Sequence, residues 1–86
     1  MNVHIPSQLR GYTGGAADVT AEGDTLSAVM DDLERQFPGF RFRVIDEQNR
    51  VRRHIAIFAG QHRHDDMTAP LPVDKPIQIV GALSGG

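Results

Sequence analysis

The chain has 86 residues, a formal net charge of −2 and no cysteine. This length favours one small domain, which has neither disulfides nor thiolate metal ligands to stabilise it. The acidic balance lacks the basic excess of nucleic-acid binders. The first residues lack the apolar stretch of a signal peptide, and no apolar run is long enough to cross a bilayer. We therefore expect a cytoplasmic protein with no nucleic-acid or membrane partner.

The first part of the chain predicts two short strands. Val3 and Ile5 alternate with a polar residue, and so do Val19 and Ala21, which is the pattern of half-buried strands. The segment between them contains three glycines, and glycine permits the positive φ angles of tight turns. We predict a hairpin with a glycine-rich connection.

The next segment predicts one amphipathic helix. Asp24 or Thr25 supplies a side chain that caps its start, and Pro38 followed by Gly39 ends it. Its apolar positions recur at helical spacing, at Leu26, Val29, Met30, Leu33 and Phe37. Such a helix has one apolar stripe that must cover another element.

A second hairpin is predicted after the helix. Phe40, Phe42 and Val44 alternate with arginines, which indicates a strand, and the polar run 46–50 turns the chain. The returning strand follows around residues 55–58, where alternate side chains point to opposite faces.

The end of the chain predicts a loop, a strand and a tail. Segment 60–76 contains three prolines and no sustained period, so we predict that it is mostly loop. Ile77 and Ile79 then form a last strand, and small residues follow to Gly85 and Gly86. A C-terminal carboxylate that ends two glycines has no side chain near it and can pass through a narrow channel. Two such glycines arise by chance in roughly one chain in two hundred, and frayed termini are ordinary.

This order of elements predicts an α+β fold of the β-grasp, ubiquitin-like type. One main helix packs across a mixed sheet in which the first and last strands are central and parallel. We assign residues 1–81 to this domain and residues 82–86 to a flexible C-terminal tail that points away from it. The sheet would then hold the tail out for a partner.

Several motifs carry a family resemblance over nearly the whole chain. They are Ile5-Pro6, Leu9-Arg10, Thr13-Gly14-Gly15, Gly23-Asp24-Thr25-Leu26 at the helix start, Ala28-Val29, Asp32-Leu33-Glu34, and Gly-Gly after the last strand. With them the chain resembles the MoaD/ThiS group of ubiquitin-like sulfur carriers, and within it the CysO-type cysteine-biosynthetic carriers and MoaD-like proteins. The loop 59–61, the turn 73–76 and the tail segment 81–84 depart from the usual family pattern. The departures leave open which pathway the carrier serves.

The resemblance implies a protein co-substrate that is not itself an enzyme. The Gly86 carboxylate would be adenylated by a ubiquitin-activating-type enzyme (MoeB/ThiF-like) that uses ATP and Mg²⁺, and then converted to a thiocarboxylate. Leu83, Ser84 and Gly85 would lie in the partner's channel. A downstream synthase would accept the sulfur for cysteine, molybdopterin or thiamine synthesis. The resemblance implies no cofactor bound by the chain itself.

Two other function classes stay open at this point. The same activation would permit a ubiquitin-like modifier that joins Gly86 to a lysine of a target. Alternatively, the chain is a non-reactive β-grasp binding module whose tail is incidental. Deletion of the two glycines without loss of function would favour the binding module.

Three surface features are candidate sites outside the tail. Alternation places Phe58 and Val80 on the sheet face away from the helix, where they form either an apolar docking patch or a surface that a loop covers. His62 and His64 are metal-ligand types two residues apart, but nothing supplies a third ligand, so we assign no metal. Five arginines between residues 41 and 53 form a basic surface that either keeps the protein soluble or orients it on an enzyme.

Overall fold

A computed structural model of the protein describes residues 1–81. The strands are β1 (Asn2–His4), β2 (Asp18–Thr20), β3 (Ile55–Ala59), β4 (His62–Arg63) and β5 (Ile77–Gly81). The helices are α1 (Leu26–Gln36) and α2 (Phe40–Val44), and a 3-10 helix spans Ser7–Thr13. Among these residues, no helix has the length and the apolar character that a bilayer span requires.

The strands form one mixed sheet in the order β2-β1-β5-β3-β4. β1 and β5 are parallel, with Val3 opposite Ile77, and β5 pairs along its whole length with antiparallel β3. The predicted parallel pairing of the first and last strands is therefore confirmed. β1 pairs with Ile77 and Gln78 of β5, whereas β3 pairs with β5 up to Gly81, the last described residue.

Helix α1 covers one face of this sheet, as its apolar stripe predicts. The Thr25 hydroxyl oxygen accepts a hydrogen bond of 3.2 Å from the Ala28 amide and caps the helix start. Apolar side chains of the helix, of β1, β3 and β5, and of Ile5 directly after β1 are buried together, namely Val3, Ile5, Leu26, Val29, Met30, Leu33, Ile57, Ile77 and Ile79. The observed fold is the predicted β-grasp, with one main helix on a mixed sheet.

The predicted strand at residues 40–44 is wrong, because this segment forms helix α2. Glu34 of α1 explains the difference, since its carboxylate accepts hydrogen bonds from the amides of Gly39, at 2.9 Å, and Arg41, at 3.0 Å. These amides lie at the start of α2 and have no partner inside the helix. Phe40 and Val44, four residues apart on one helical face, are both fully buried. Phe42 lies on the opposite side and is 56% exposed.

The turn predicted at residues 46–50 is confirmed, but the hairpin that it would connect is not formed, because β3 pairs with β4 and β5. One carboxylate oxygen of Asp46 accepts hydrogen bonds from the amides of Gln48, at 2.9 Å, and Arg50, at 3.0 Å. Asn49 has a φ of 64°, a left-handed conformation that asparagine tolerates better than most residues. Ile45 and Val51 then meet in an isolated antiparallel bridge.

The connection between β1 and β2 is longer than a glycine turn. β1 and β2 pair antiparallel as predicted, but the 3-10 helix fills most of the segment between them. Gly14 ends this helix with a φ of 65°, and the Thr13 hydroxyl donates a hydrogen bond of 2.8 Å to the Ala16 carbonyl. Gly14 therefore stops a helix, and the glycines do not form the whole connection.

We expect the Glu34 cap to make stability depend on pH. Hydrogen bonds from the Gly39 and Arg41 amides hold the pKa of Glu34 below its ordinary value of 4.5. A lowered folded-state pKa stabilises the protein above the unfolded pKa, and this contribution is lost as pH falls through the folded pKa. Urea unfolding should therefore show that Glu34→Gln is less stable than the wild type at pH 7, with the difference shrinking below about pH 4.5.

Glu47→Gln is the matched control for this prediction, because Glu47 is exposed and caps no helix. Its difference from the wild type should change little over the same pH range. A deficit of Glu34→Gln that stays constant down to acidic pH would contradict the capping role of the charged carboxylate.

Candidate functional site

The candidate site is the end of β5, from which the C-terminal residues continue. Leu83, Ser84, Gly85 and Gly86, which carry the predicted chemistry, lie outside the described residues. What the structure describes is the surface around Gly81. This surface is built by the 3-10 helix, by β5 and by the segment that contains α2.

Gly81 packs closely against Gln8 of the 3-10 helix. It is paired with Ile55 of β3, and its carbonyl accepts a hydrogen bond of 3.4 Å from the side-chain Nε2 of Gln8. A Cβ atom at Gly81 would lie 2.6 Å from that nitrogen. The absence of a side chain at residue 81 therefore lets Gln8 lie across the end of the strand.

A groove opens on one side of this contact. It has a volume of about 360 Å³, and we call it the exit groove. Its lining residues are Pro6, Gln8, Leu9, Phe42, Arg43, Arg52, His54, Ile55 and Gly81. A second, more open depression of about 290 Å³ lies on the other side of Gln8 and includes Arg10, Gln78 and Val80.

Phe58 and Val80 lie on the same sheet face, opposite to the one that α1 covers. In the register of β3 and β5, Phe58 is opposite Gln78 and Val80 is opposite Ala56, so the two are diagonal neighbours. Both are half-buried, whereas Gln78 between them is exposed. The structure brings the two predicted residues together, and their docking role stays a prediction.

The two predicted histidines lie in and directly after β4, the edge strand next to β3. His62 is exposed in β4, and the His64 amide donates a hydrogen bond of 2.8 Å to the Ile57 carbonyl. Within residues 1–81, no group of three or more His, Cys, Asp or Glu side chains is placed to hold a metal ion.

The five arginines of the predicted basic surface divide into different environments. Arg41 forms an ion pair of 3.2 Å with Asp31, and Arg50 lies 3.8 Å from Asp46. Arg43 and Arg52 instead lie over aromatic rings and line the exit groove. Arg53 is exposed and lies outside that groove.

Sequence reasoning missed Phe42 and Gln8 as residues of this site. Phe42 was assigned to a strand together with Phe40, although only Phe40 is buried. The available signal was Pro38-Gly39 followed by apolar residues four apart, which also fits the start of a short helix. Gln8 carries no comparable signal, because its role depends on the position of β5.

Comparisons with known proteins agree on one group. No protein-family model matches the chain. The sulfur carrier protein CysO of Mycobacterium tuberculosis is 43% identical over 91 residues, which cover 100% of this chain and 98% of that protein. The crystal structure of M. tuberculosis CysO has a TM-score of 0.85 at 32% identity, and covers 95% of this chain and 98% of that one. A chain in the crystal structure of the Amycolatopsis orientalis BexX/CysO complex has a TM-score of 0.86 at 29% identity, with 99% and 98% covered.

The fold, with the C-terminal residues continuing from the end of β5, is that of a ubiquitin-like β-grasp protein. Its likeness to these relatives extends through nearly the whole of each chain, including the strand that leads to the candidate site. The chain belongs to the family of CysO sulfur carrier proteins.

Proposed function

We propose that the chain carries sulfur as a thiocarboxylate on the carboxyl group of Gly86. The observation that carries this proposal is the 43% identity to CysO across the whole chain. The domain assignment supports it, since residues 1–81 contain the sheet and its core, and residues 82–86 follow directly from β5. We assign residues 82–86 the role of a flexible tail that a partner enzyme receives.

The chemistry takes place at one carboxyl group in two steps. A Gly86 carboxylate oxygen attacks the α-phosphorus of ATP, which releases pyrophosphate and leaves an acyl-adenylate. Sulfide or a persulfide sulfur then attacks the carbonyl carbon and displaces AMP; a persulfide adduct also requires reduction by a thiol to release the thiocarboxylate. The ionised sulfur is a better nucleophile than the carboxylate oxygen. Catalysis, ATP and Mg²⁺ belong to the adenylating partner, so the chain is a co-substrate and binds no cofactor of its own.

The geometry of β5 supports delivery of this end to a partner. β3 pairs with β5 as far as Gly81, so the base of the tail has a defined position. From Gly81 onward, an extended chain reaches roughly 18–20 Å. Leu83, Ser84 and Gly85 would occupy the partner's channel, and the two glycines place no side chain beside the reacting carbon.

Two kinds of partner follow from this proposal. The first is a ubiquitin-activating-type adenylating enzyme, for which we assign the half-buried pair Phe58 and Val80 as a docking face. The second is a synthase that accepts the sulfur. We favour the cysteine-type acceptor, because a CysO protein matches the whole chain. A crystal structure of a CysO protein in complex with a second protein, BexX, supports an acceptor partner in general.

Intact-mass measurement tests the proposed function. The full chain is incubated with the adenylating enzyme of its source organism, ATP, Mg²⁺ and sulfide, with parallel reactions that lack ATP or sulfide. We expect replacement of one oxygen by sulfur at the C-terminus, in the complete reaction only. A mass that never changes would contradict the carrier function, and lysine-linked conjugates of Gly86 would indicate the modifier instead.

A further inference from the structure

Phe42 is exposed beside the point at which the tail leaves the domain. Phe42 is 56% exposed, and within residues 1–81 the other exposed large apolar residue is Val73. Phe42 lines the exit groove together with Pro6, Leu9 and Gly81. Aromatic side chains contribute much of the binding energy in protein interfaces when a partner covers them.

Arg52 is held in place above this aromatic ring. Its guanidinium carbon lies 4.5 Å from the centre of the Phe42 ring, and its Nε donates a hydrogen bond of 2.7 Å to the Phe42 carbonyl. Within residues 1–81, neither of the two terminal nitrogens of the Arg52 guanidinium donates a hydrogen bond. A guanidinium held in this way presents a planar pair of donors that suits a carboxylate.

The other ionisable side chains of the exit groove are also of basic type. Arg43, whose guanidinium carbon lies 5.7 Å from the centre of the Tyr12 ring, and His54 line the groove, and no aspartate or glutamate does so. The ion pairs formed within residues 1–81 use other basic side chains, namely His4, Arg35, Arg41 and Arg50. A chain with a net charge of −2 thus has a locally positive groove next to its tail.

We propose that the exit groove binds a segment of the adenylating partner that carries carboxylates beside an apolar side chain. The apolar side chain would pack on Phe42 and Leu9, and the carboxylates would pair with Arg43 and Arg52. Opposite charges of this kind speed association and select the partner. The contact would form as the tail that follows Gly81 enters the channel. This inference rests on the proposed function and concerns a different surface from Phe58 and Val80.

Adenylation kinetics test the proposal with the source organism's adenylating enzyme. Arg43→Glu and Phe42→Ala should each raise the KM for the carrier by about five- to tenfold and leave kcat nearly unchanged. Arg53→Glu is the matched control, because it makes the same charge change at an exposed residue outside the groove. Its KM should stay close to that of the wild type.

The salt dependence of the same reaction separates charge pairing from misfolding. The KM of the wild type should rise with ionic strength, and that of Arg43→Glu should rise less. Equal KM values for Arg43→Glu, Phe42→Ala and Arg53→Glu would overturn the inference while the wild type still forms a thiocarboxylate. Failure of the wild type itself would instead contradict the proposed function.

A peptide titration followed by NMR tests the chemistry of the groove without an enzyme. The labelled full chain is titrated with the peptide acetyl-Asp-Leu-Glu-Phe-Asp-amide, and separately with its Asn/Gln counterpart and with ATP. We expect shifts at Phe42, Arg43 and Arg52 with the acidic peptide, and weaker ones with its neutral counterpart. Equal shifts with both peptides, or shifts at these residues with ATP alone, would overturn the proposal.

Discussion

A chain that lacks Gly85 and Gly86 should fold as the full chain does and form no thiocarboxylate. The buried core and the five-stranded sheet are formed by residues 1–81, so circular dichroism and urea unfolding should show nearly unchanged stability. The truncated chain ends on the carboxylate of Ser84, which lies closer to the domain and carries a side chain. We expect it not to reach the ATP in the partner's channel, and intact mass and pyrophosphate release measure this loss directly.

Two further variants test whether the carboxylate must lie at the position of residue 86. One added C-terminal alanine keeps a carboxylate but moves it one residue onward, and should also abolish sulfur transfer. Ser84→Ala keeps Gly85 and Gly86 in place and should remain active. Sulfur incorporation into the truncated chain would overturn the assignment of Gly86 as the reactive residue.

Replacement of Phe40 by alanine should lower the free energy of unfolding by about 3–5 kcal/mol. Phe40 is fully buried, packs edge to face on Tyr12 with ring centres 6.5 Å apart, and lies on the same face of α2 as Val44. Removal of the ring leaves a cavity that the surrounding side chains fill only partly. Urea unfolding of the full chain measures the change.

Phe42→Ala is the control for this prediction, and the pair also tests the helical assignment of α2. In a strand, residues 40 and 42 would share a face and both substitutions would have similar costs. In the helix they point in different directions, and the exposed Phe42 should cost less than about 1 kcal/mol. Equal destabilisation by the two substitutions would contradict the helix.

Local sequence signals were sufficient for the elements whose partners lie close in the chain or at regular spacing. Helix α1 has its capping residue Thr25 and its whole apolar stripe within one segment, so both its existence and its buried face were predicted. The last strand was recognised in the same way from Ile77 and Ile79, which alternate and are both buried. The parallel pairing of β1 and β5 followed from the order of elements.

The segment from Phe40 to Val44 was predicted wrongly because its decisive partner belongs to another element. Apolar residues at positions 40, 42 and 44 fit both an alternating strand and a helix that buries only the first and last of them. Glu34 decides in favour of the helix, since its carboxylate caps the amides of Gly39 and Arg41. The pattern of apolar and polar residues within this segment contains no information about such a cap from a neighbouring helix.

The sequence by itself determined the β-grasp class, the main helix, the last strand and the family resemblance that points to Gly86. These follow from periodicity, capping residues and short motifs, which are local properties of the chain. The tertiary structure alone decided that Phe42 faces solvent, that Arg52 lies over its ring, and that both line a groove beside Gly81. The physical reason is that this groove depends on contacts between residues far apart in the chain, which form only when the 3-10 helix, α2 and β5 pack together.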